Sequence, residues 1–189
     1  MRYWTLFAAG LAAVAPAPLC AREMTVIVPG KAMPWNPAVN GDMAFGRQDG
    51  ARPVTVFGGK LFEGSVVEFF AVGSTTTAIG GPAFGPGGQA EFVTNASAGN
   101  SGAWFPSRYA DAKGYPARLN QLMGTFVDGD GRVVGKPFLI GARAKATVPR
   151  GAMAILLGLN DDIFSDNDGQ LRVIVNLPDP TVTVGGEGG

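Results

Sequence analysis

Histidine is absent from the 189 residues, and Cys20 is the only cysteine. Without histidine, Ser-His-Asp and Cys-His catalysis are excluded, and so is histidine-ligated zinc. A single cysteine cannot close an internal disulfide or hold an iron–sulfur cluster. Glutamate is scarce, so paired-carboxylate hydrolysis has few candidate side chains. Excess charge is also missing: 15 Lys and Arg face 15 Asp and Glu. A balanced chain has no broad basic field for nucleic acid or for an anionic membrane. Taken together, these absences argue against an enzyme and against a nucleic-acid partner.

What the chain does have is 29 Gly and 14 Pro, spaced between short apolar runs. No long stretch repeats at helical spacing. Short β-rich runs bounded by Gly and Pro indicate an all-β protein. Strands are expected near residues 24–28, 53–57, 66–72, 119–127, 133–140, 144–148, 154–159 and from 171 onward, giving eight or nine. The dipeptides Asp128-Gly129 and Asp130-Gly131 signal a hairpin with a primed turn. Trp35, between Pro34 and Pro37, is expected to pack on the edge of a core.

Residues 1–21 read as an export signal. Arg2 gives the positive start, residues 3–14 the apolar stretch, and Pro and small residues precede Ala21. The apolar span is short for a membrane helix. Removal of this signal would leave a secreted, cysteine-free chain with no membrane insertion. The domain is expected over 22–177, with 178–189 as a Gly-rich tail.

The densest chemistry lies between the last two expected strands. Residues 154–159 are uniformly apolar, as in a buried strand. Leu171, Val173 and Val175 then alternate with polar neighbours. Between these runs stand Asn160, Asp161, Asp162, Asp166, Asn167 and Asp168, closed by Gly169. Four carboxylates fall within eight residues, and no Lys or Arg lies among them. Asp, Asn and backbone carbonyls together suit a hard cation such as Ca²⁺. The same residues also favour solvated turns. The loop is not an EF-hand, because the twelfth position from Asp161 is Arg172.

Leu157-Gly158-Leu159-Asn160-Asp161, followed by Asp166-Asn167-Asp168-Gly169 and an alternating strand, resembles the metal loop of the calcium-dependent galactose-binding lectins of bacteria. The likeness runs from about Gly64 to Leu177. It implies a β-sandwich of the jelly-roll or galactose-binding-like kind, as a single domain. It also implies Ca²⁺ held by the side chains of Asp161, Asp166 and Asn167, with carbonyls from Phe164 or a neighbour and from Thr77. In that family a His and a nearby Gln touch the sugar. Here the corresponding stretch offers Gln89, Glu91 and Asn95, so the sugar contacts implied are Asp161, Asp162, Asp166, Gln89 and Asn95. The function implied is a secreted calcium-binding carbohydrate-recognition domain with a glycan ligand. The alternative is a structural or cell-surface module in which the ion only pins loops. Oligomeric state is not readable.

Overall fold

The computed structural model describes residues 22–56, 61–94, 98–110 and 116–177. The expected export signal and the Gly-rich tail lie outside them. Eleven strands alternate with turns: β1 (Arg22–Pro29), β2 (Val54–Val56), β3 (Val66–Thr76), β4 (Ala83–Phe84), β5 (Gln89–Val93), β6 (Arg118–Leu119), β7 (Gln121–Val127), β8 (Val133–Leu139), β9 (Arg143–Thr147), β10 (Ala154–Asn160) and β11 (Asp168–Leu177). The only helical pieces among the described residues are two short 3-10 turns, Gly41–Met43 and Pro106–Tyr109.

The strands form two antiparallel sheets and a ribbon. One sheet runs β1-β11-β3, and β3 then pairs with β9 along its first half and with β4 near its end. The other sheet runs β2-β10-β7-β8, and β5 with β6 makes the two-stranded ribbon. The sheets share one hydrophobic core, which is the all-β fold expected from composition and the sandwich that the resemblance implied.

Period-two alternation decides which face is inside. In β11, Leu171, Val173, Val175 and Leu177 are buried, and in β3 so are Val67, Phe69 and Ala71. Ile155, Leu157 and Leu159 meet them from β10, with Leu122 and Phe126 from β7. Burying each such large side chain stabilises the fold by roughly 1.5–3 kcal/mol. β10 is apolar on both faces because its outer face is covered too. The chain from Ala32 to Phe45 lies over it: Leu159 N–H donates to the Ala32 carbonyl at 2.9 Å, and Thr125 Oγ1 donates to the Pro34 carbonyl at 3.1 Å. Gly158 faces the Met33 backbone so closely that a Cβ there would collide with it. Trp35 is fully buried, stacks edge-on to Phe45 at 4.8 Å, and donates from its indole N–H to the Met43 carbonyl.

Two local expectations are corrected. Residues 119–127 are not one strand. Asn120 sits at φ 60° and breaks the run into β6 and β7. Asn enters the left-handed region more readily than other non-glycine residues. The 128–131 turn is also not a primed turn. Only Gly131 has positive φ (79°), while Asp128 Oδ1 accepts from Asp130 N–H and Arg132 N–H. That pattern fits a turn closed by a left-handed glycine. The carboxylate of Asp128 is thereby engaged with its own backbone.

Candidate cation site at the β10–β11 loop

The loop begins where β10 leaves the core. Asn160, the last residue of β10, is fully buried and anchors three segments. Its Nδ2 donates to Thr94 Oγ1 (2.7 Å) and to the Arg118 carbonyl (2.8 Å), and its Oδ1 accepts from Ser107 N–H (2.9 Å). The polar side chain is retained in a buried position because each of its groups has a partner.

Asp161 follows and is 3% exposed. Its Oδ1 accepts from Asp162 N–H at 2.7 Å and from Ile163 N–H at 3.3 Å. Its Oδ2 accepts from Asn167 Nδ2 at 2.9 Å. Burial pushes its carboxyl up to about 7; the hydrogen bonds from Asn167, Asp162 and Ile163 pull downward without offsetting it, and the charge of Asp162 adds to the rise. A carboxylate so placed gains most from a nearby positive charge.

Asn167 is fully buried, and its Nδ2 also donates to the Gly30 carbonyl at 3.0 Å. With the amide nitrogen spent on two acceptors, Oδ1 is left facing no donor. Asp166 Oδ1 is buried in the same condition. Buried oxygens without a donor are rare in folded proteins and call for an ion or water. The two are on adjacent residues. Phe164 sits in the core by its ring, and its carbonyl accepts from Asn167 N–H at 3.2 Å. The antiparallel register ends at Asp168↔Thr76, the residues next in the chain to Asn167 and Thr77. The structure thus joins Asp161 and Phe164 to Asn167 by hydrogen bonds, with Asp166 in the same loop and Thr77 just past the end of β3.

Among the described residues, no three His, Cys, Asp or Glu side chains converge as a metal cluster. The residues of the loop would offer two carboxylates, an amide and backbone carbonyls. Such a set fits a hard cation of the Ca²⁺ kind and is unsuited to zinc.

Other sequence candidates are placed differently. Asp162 is buried, and its Oδ2 accepts from Ser101 N–H at 2.6 Å while its carbonyl accepts from Arg47 N–H at 2.8 Å. Gly99 lies against its carboxylate. Asp162 thus fastens the 98–104 segment and is not turned toward Asp166. Gln89 stands in the ribbon opposite Leu119, and the next residue, Asn120, donates its N–H to the Asn160 carbonyl. The ribbon is consequently a neighbour of the loop's entrance. Asn95 lies outside the described residues.

Two contributors were invisible to sequence reading. Asp49, from the polar 41–51 stretch, accepts from Phe164 N–H (2.8 Å) and from Ser165 Oγ (2.8 Å). Burial pushes its carboxyl up, but the Phe164 and Ser165 hydrogen bonds outweigh this and hold it below its ordinary value. Asn120 donates through Nδ2 to the buried Thr75 Oγ1 at 2.8 Å, and its Oδ1 also lacks a partner. An aspartate in a Gly-punctuated loop carries no local sign of a contact more than a hundred residues away.

No protein-family profile matches the chain, and no curated protein matches it. Among the solved structures similar to the chain is an EclA N-terminal domain, a PllA-like lectin. It is 14% identical, with 81% of this chain and 94% of that chain covered, at a TM-score of 0.44. A likeness at this level carries no argument about ligands or residues.

Proposed function

We propose that this chain is a non-catalytic, calcium-dependent carbohydrate-binding module. Ca²⁺ would be held by the side chains of Asp161, Asp166 and Asn167, with carbonyls of Phe164 and Thr77. The observation that carries the reading is the pair of buried oxygens, Asp166 Oδ1 and Asn167 Oδ1, with no donor to either. The loop resemblance supports it independently. When bound, the ion would supply a coordination point for sugar hydroxyls. The chain's own part is to hold the oxygens in place: Asn160 anchors the loop's entrance, Asp49 holds its middle, and the β3–β11 ladder fixes its exit. Gln89 on the neighbouring ribbon is a candidate for a direct polar contact to sugar. Export before use fits the N-terminal segment and the millimolar calcium outside cells.

The test is a glycan array probed with the 22–189 chain in calcium and again in EDTA. Retention of defined glycans in calcium only supports the reading. An array that stays at background with calcium present contradicts it.

One observation favours a second reading, in which the ion only pins loops. Asp161 and Asp162 are 3% and 4% exposed and already engaged, leaving little carboxylate surface for a ligand. A calcium-induced rise in Tm without any glycan retention would select this alternative.

A further inference from the structure

Three buried side-chain oxygens among the described residues have no hydrogen-bond donor: Asp166 Oδ1, Asn167 Oδ1 and Asn120 Oδ1. The first two carry the calcium reading. The third lies outside the acidic loop, at the break between β6 and β7. Asn120 is fully buried, and its backbone is left-handed at φ 60°. Glycine would hold that backbone and bury no polar group. Asn120 instead buries an amide whose Nδ2 is spent on Thr75 Oγ1 at 2.8 Å and whose Oδ1 has no partner. Asn167 is in the same condition, its Nδ2 spent on Asp161 Oδ2 and the Gly30 carbonyl.

Asn120 is tied to both ends of the loop. Its backbone N–H donates to the Asn160 carbonyl at 2.8 Å. That carbonyl belongs to the peptide group that opens Asp161, so the backbone nitrogens of Asn120 and Asp161 lie within about 5 Å of each other. At the loop's exit, Thr75 pairs with Gly169, two residues past Asn167. Leu122 of β7, Leu159 of β10 and Leu171 of β11 are fully buried, and they stand two residues from Asn120, Asp161 and Gly169 respectively. Asn120, Thr75, Asp161 and Asn167 are all buried in turn. The hydrogen bonds to the Asp161 carboxylate come from Asn167, Asp162 and Ile163, none of them a cationic group.

We infer that Asn120 is a further ligand of the proposed ion, giving its side-chain oxygen from the break between β6 and β7. The inference rests on the calcium reading. Coordination number favours it. The proposed set has one oxygen from each of Asp161, Asp166, Asn167, Phe164 and Thr77, whereas Ca²⁺ takes roughly six to eight. The unpartnered acceptors favour it too. One water has two hydrogens to give and cannot serve three acceptors, whereas one cation can. The ion would then join β7 to the β10–β11 loop, so that its binding braces both sheets at this end.

The experiment measures calcium affinity by calorimetry, and Tm in calcium and in EDTA, for the 22–189 chain and two variants. Asn120→Gly keeps the left-handed backbone and removes the amide. Its calcium affinity is expected to fall about tenfold, with a single cooperative melt in EDTA reporting intact folding. Asn120→Asp keeps the oxygen and adds a charge. In EDTA it should melt lower than the unaltered chain, because a second buried carboxylate stands near Asp161. In calcium it should recover, so its calcium-induced rise in Tm exceeds that of the unaltered chain. A residue that only braces Thr75 would not produce that larger rise. Unaltered affinity in Asn120→Gly overturns the inference, and so does a calcium response in Asn120→Asp no larger than in the unaltered chain. Failure of the calcium reading shows separately, as no calcium binding by the unaltered chain, and it removes the inference with it.

Discussion

Asn167 reaches across the loop to donate its side-chain N–H to Asp161 Oδ2 at 2.9 Å, and in doing so turns its own Oδ1 to a place with no donor. One amide both satisfies the buried carboxylate and leaves its own oxygen without a donor, one residue along the chain from Asp166 Oδ1, which has none either. Around this carboxylate the described side chains present more acceptors than donors, the observation from which the calcium proposal starts.

The first prediction concerns Asp161. Replacing it by Asn removes the central negative charge and keeps the side-chain volume. Calcium should raise the Tm of the unaltered chain, since a ligand that binds only the folded state stabilises it by mass action. In Asp161→Asn that rise should disappear. Differential scanning fluorimetry in calcium and in EDTA reads both. A variant that still responds fully would remove Asp161 from the site.

The second is a pH dependence. Burial raises the folded-state value of Asp161 to about 7, above the ordinary aspartate value of 3.8. A raised acid binds its proton more tightly in the folded state. Its contribution is therefore present in full below the unfolded value and is lost as pH rises toward and through 7. The full span corresponds to about 4 kcal/mol at 1.36 kcal/mol per pH unit. Urea unfolding in EDTA should thus show lower stability at pH 8 than at pH 5, and calcium should reduce the difference. Stability rising with pH in EDTA would be the wrong sign.

The third concerns Asp49. Asp49→Ala leaves the Phe164 N–H without its partner and frees Ser165, at a cost of about 1–2 kcal/mol. Calcium affinity should fall by about tenfold, in line with losses at groups that support metal ligands from behind. Calorimetry on the variant measures it. Unchanged affinity would confine Asp49 to loop stability.

The fourth tests the fold. A Cβ at Gly158 meets the Met33 backbone, which cannot rotate aside as a flexible side chain can. Gly158→Ala should destabilise by about 1–3 kcal/mol through overpacking. Urea denaturation gives the value. A neutral result would mean that the 32–45 segment does not lie tightly on β10.

Much of the sandwich was legible because burial alternates along a strand. Val67, Phe69 and Ala71 lie inside, while Val66 is 46% exposed. The uniformly apolar 154–159 run correctly signalled a strand covered on both faces, although the sequence could not say that residues 32–45 cover it. The loop acids were legible as a group but not in their orientations. Asp161 and Asp162 are adjacent and chemically alike. One faces Asn167, and the other fastens Ser101, sixty-one residues away in the chain. Local pattern cannot separate them, because the difference lies in the partner segment. The same holds for Asn120, whose left-handed backbone interrupts an otherwise continuous apolar run.

The most direct measurement is a calcium titration of the 22–189 chain by isothermal calorimetry near pH 7.5, after removal of bound metal with EDTA. The account requires saturable binding of one ion per chain, lost in Asp161→Asn. The absence of saturable binding up to millimolar calcium, with a Tm unmoved by EDTA, would contradict it.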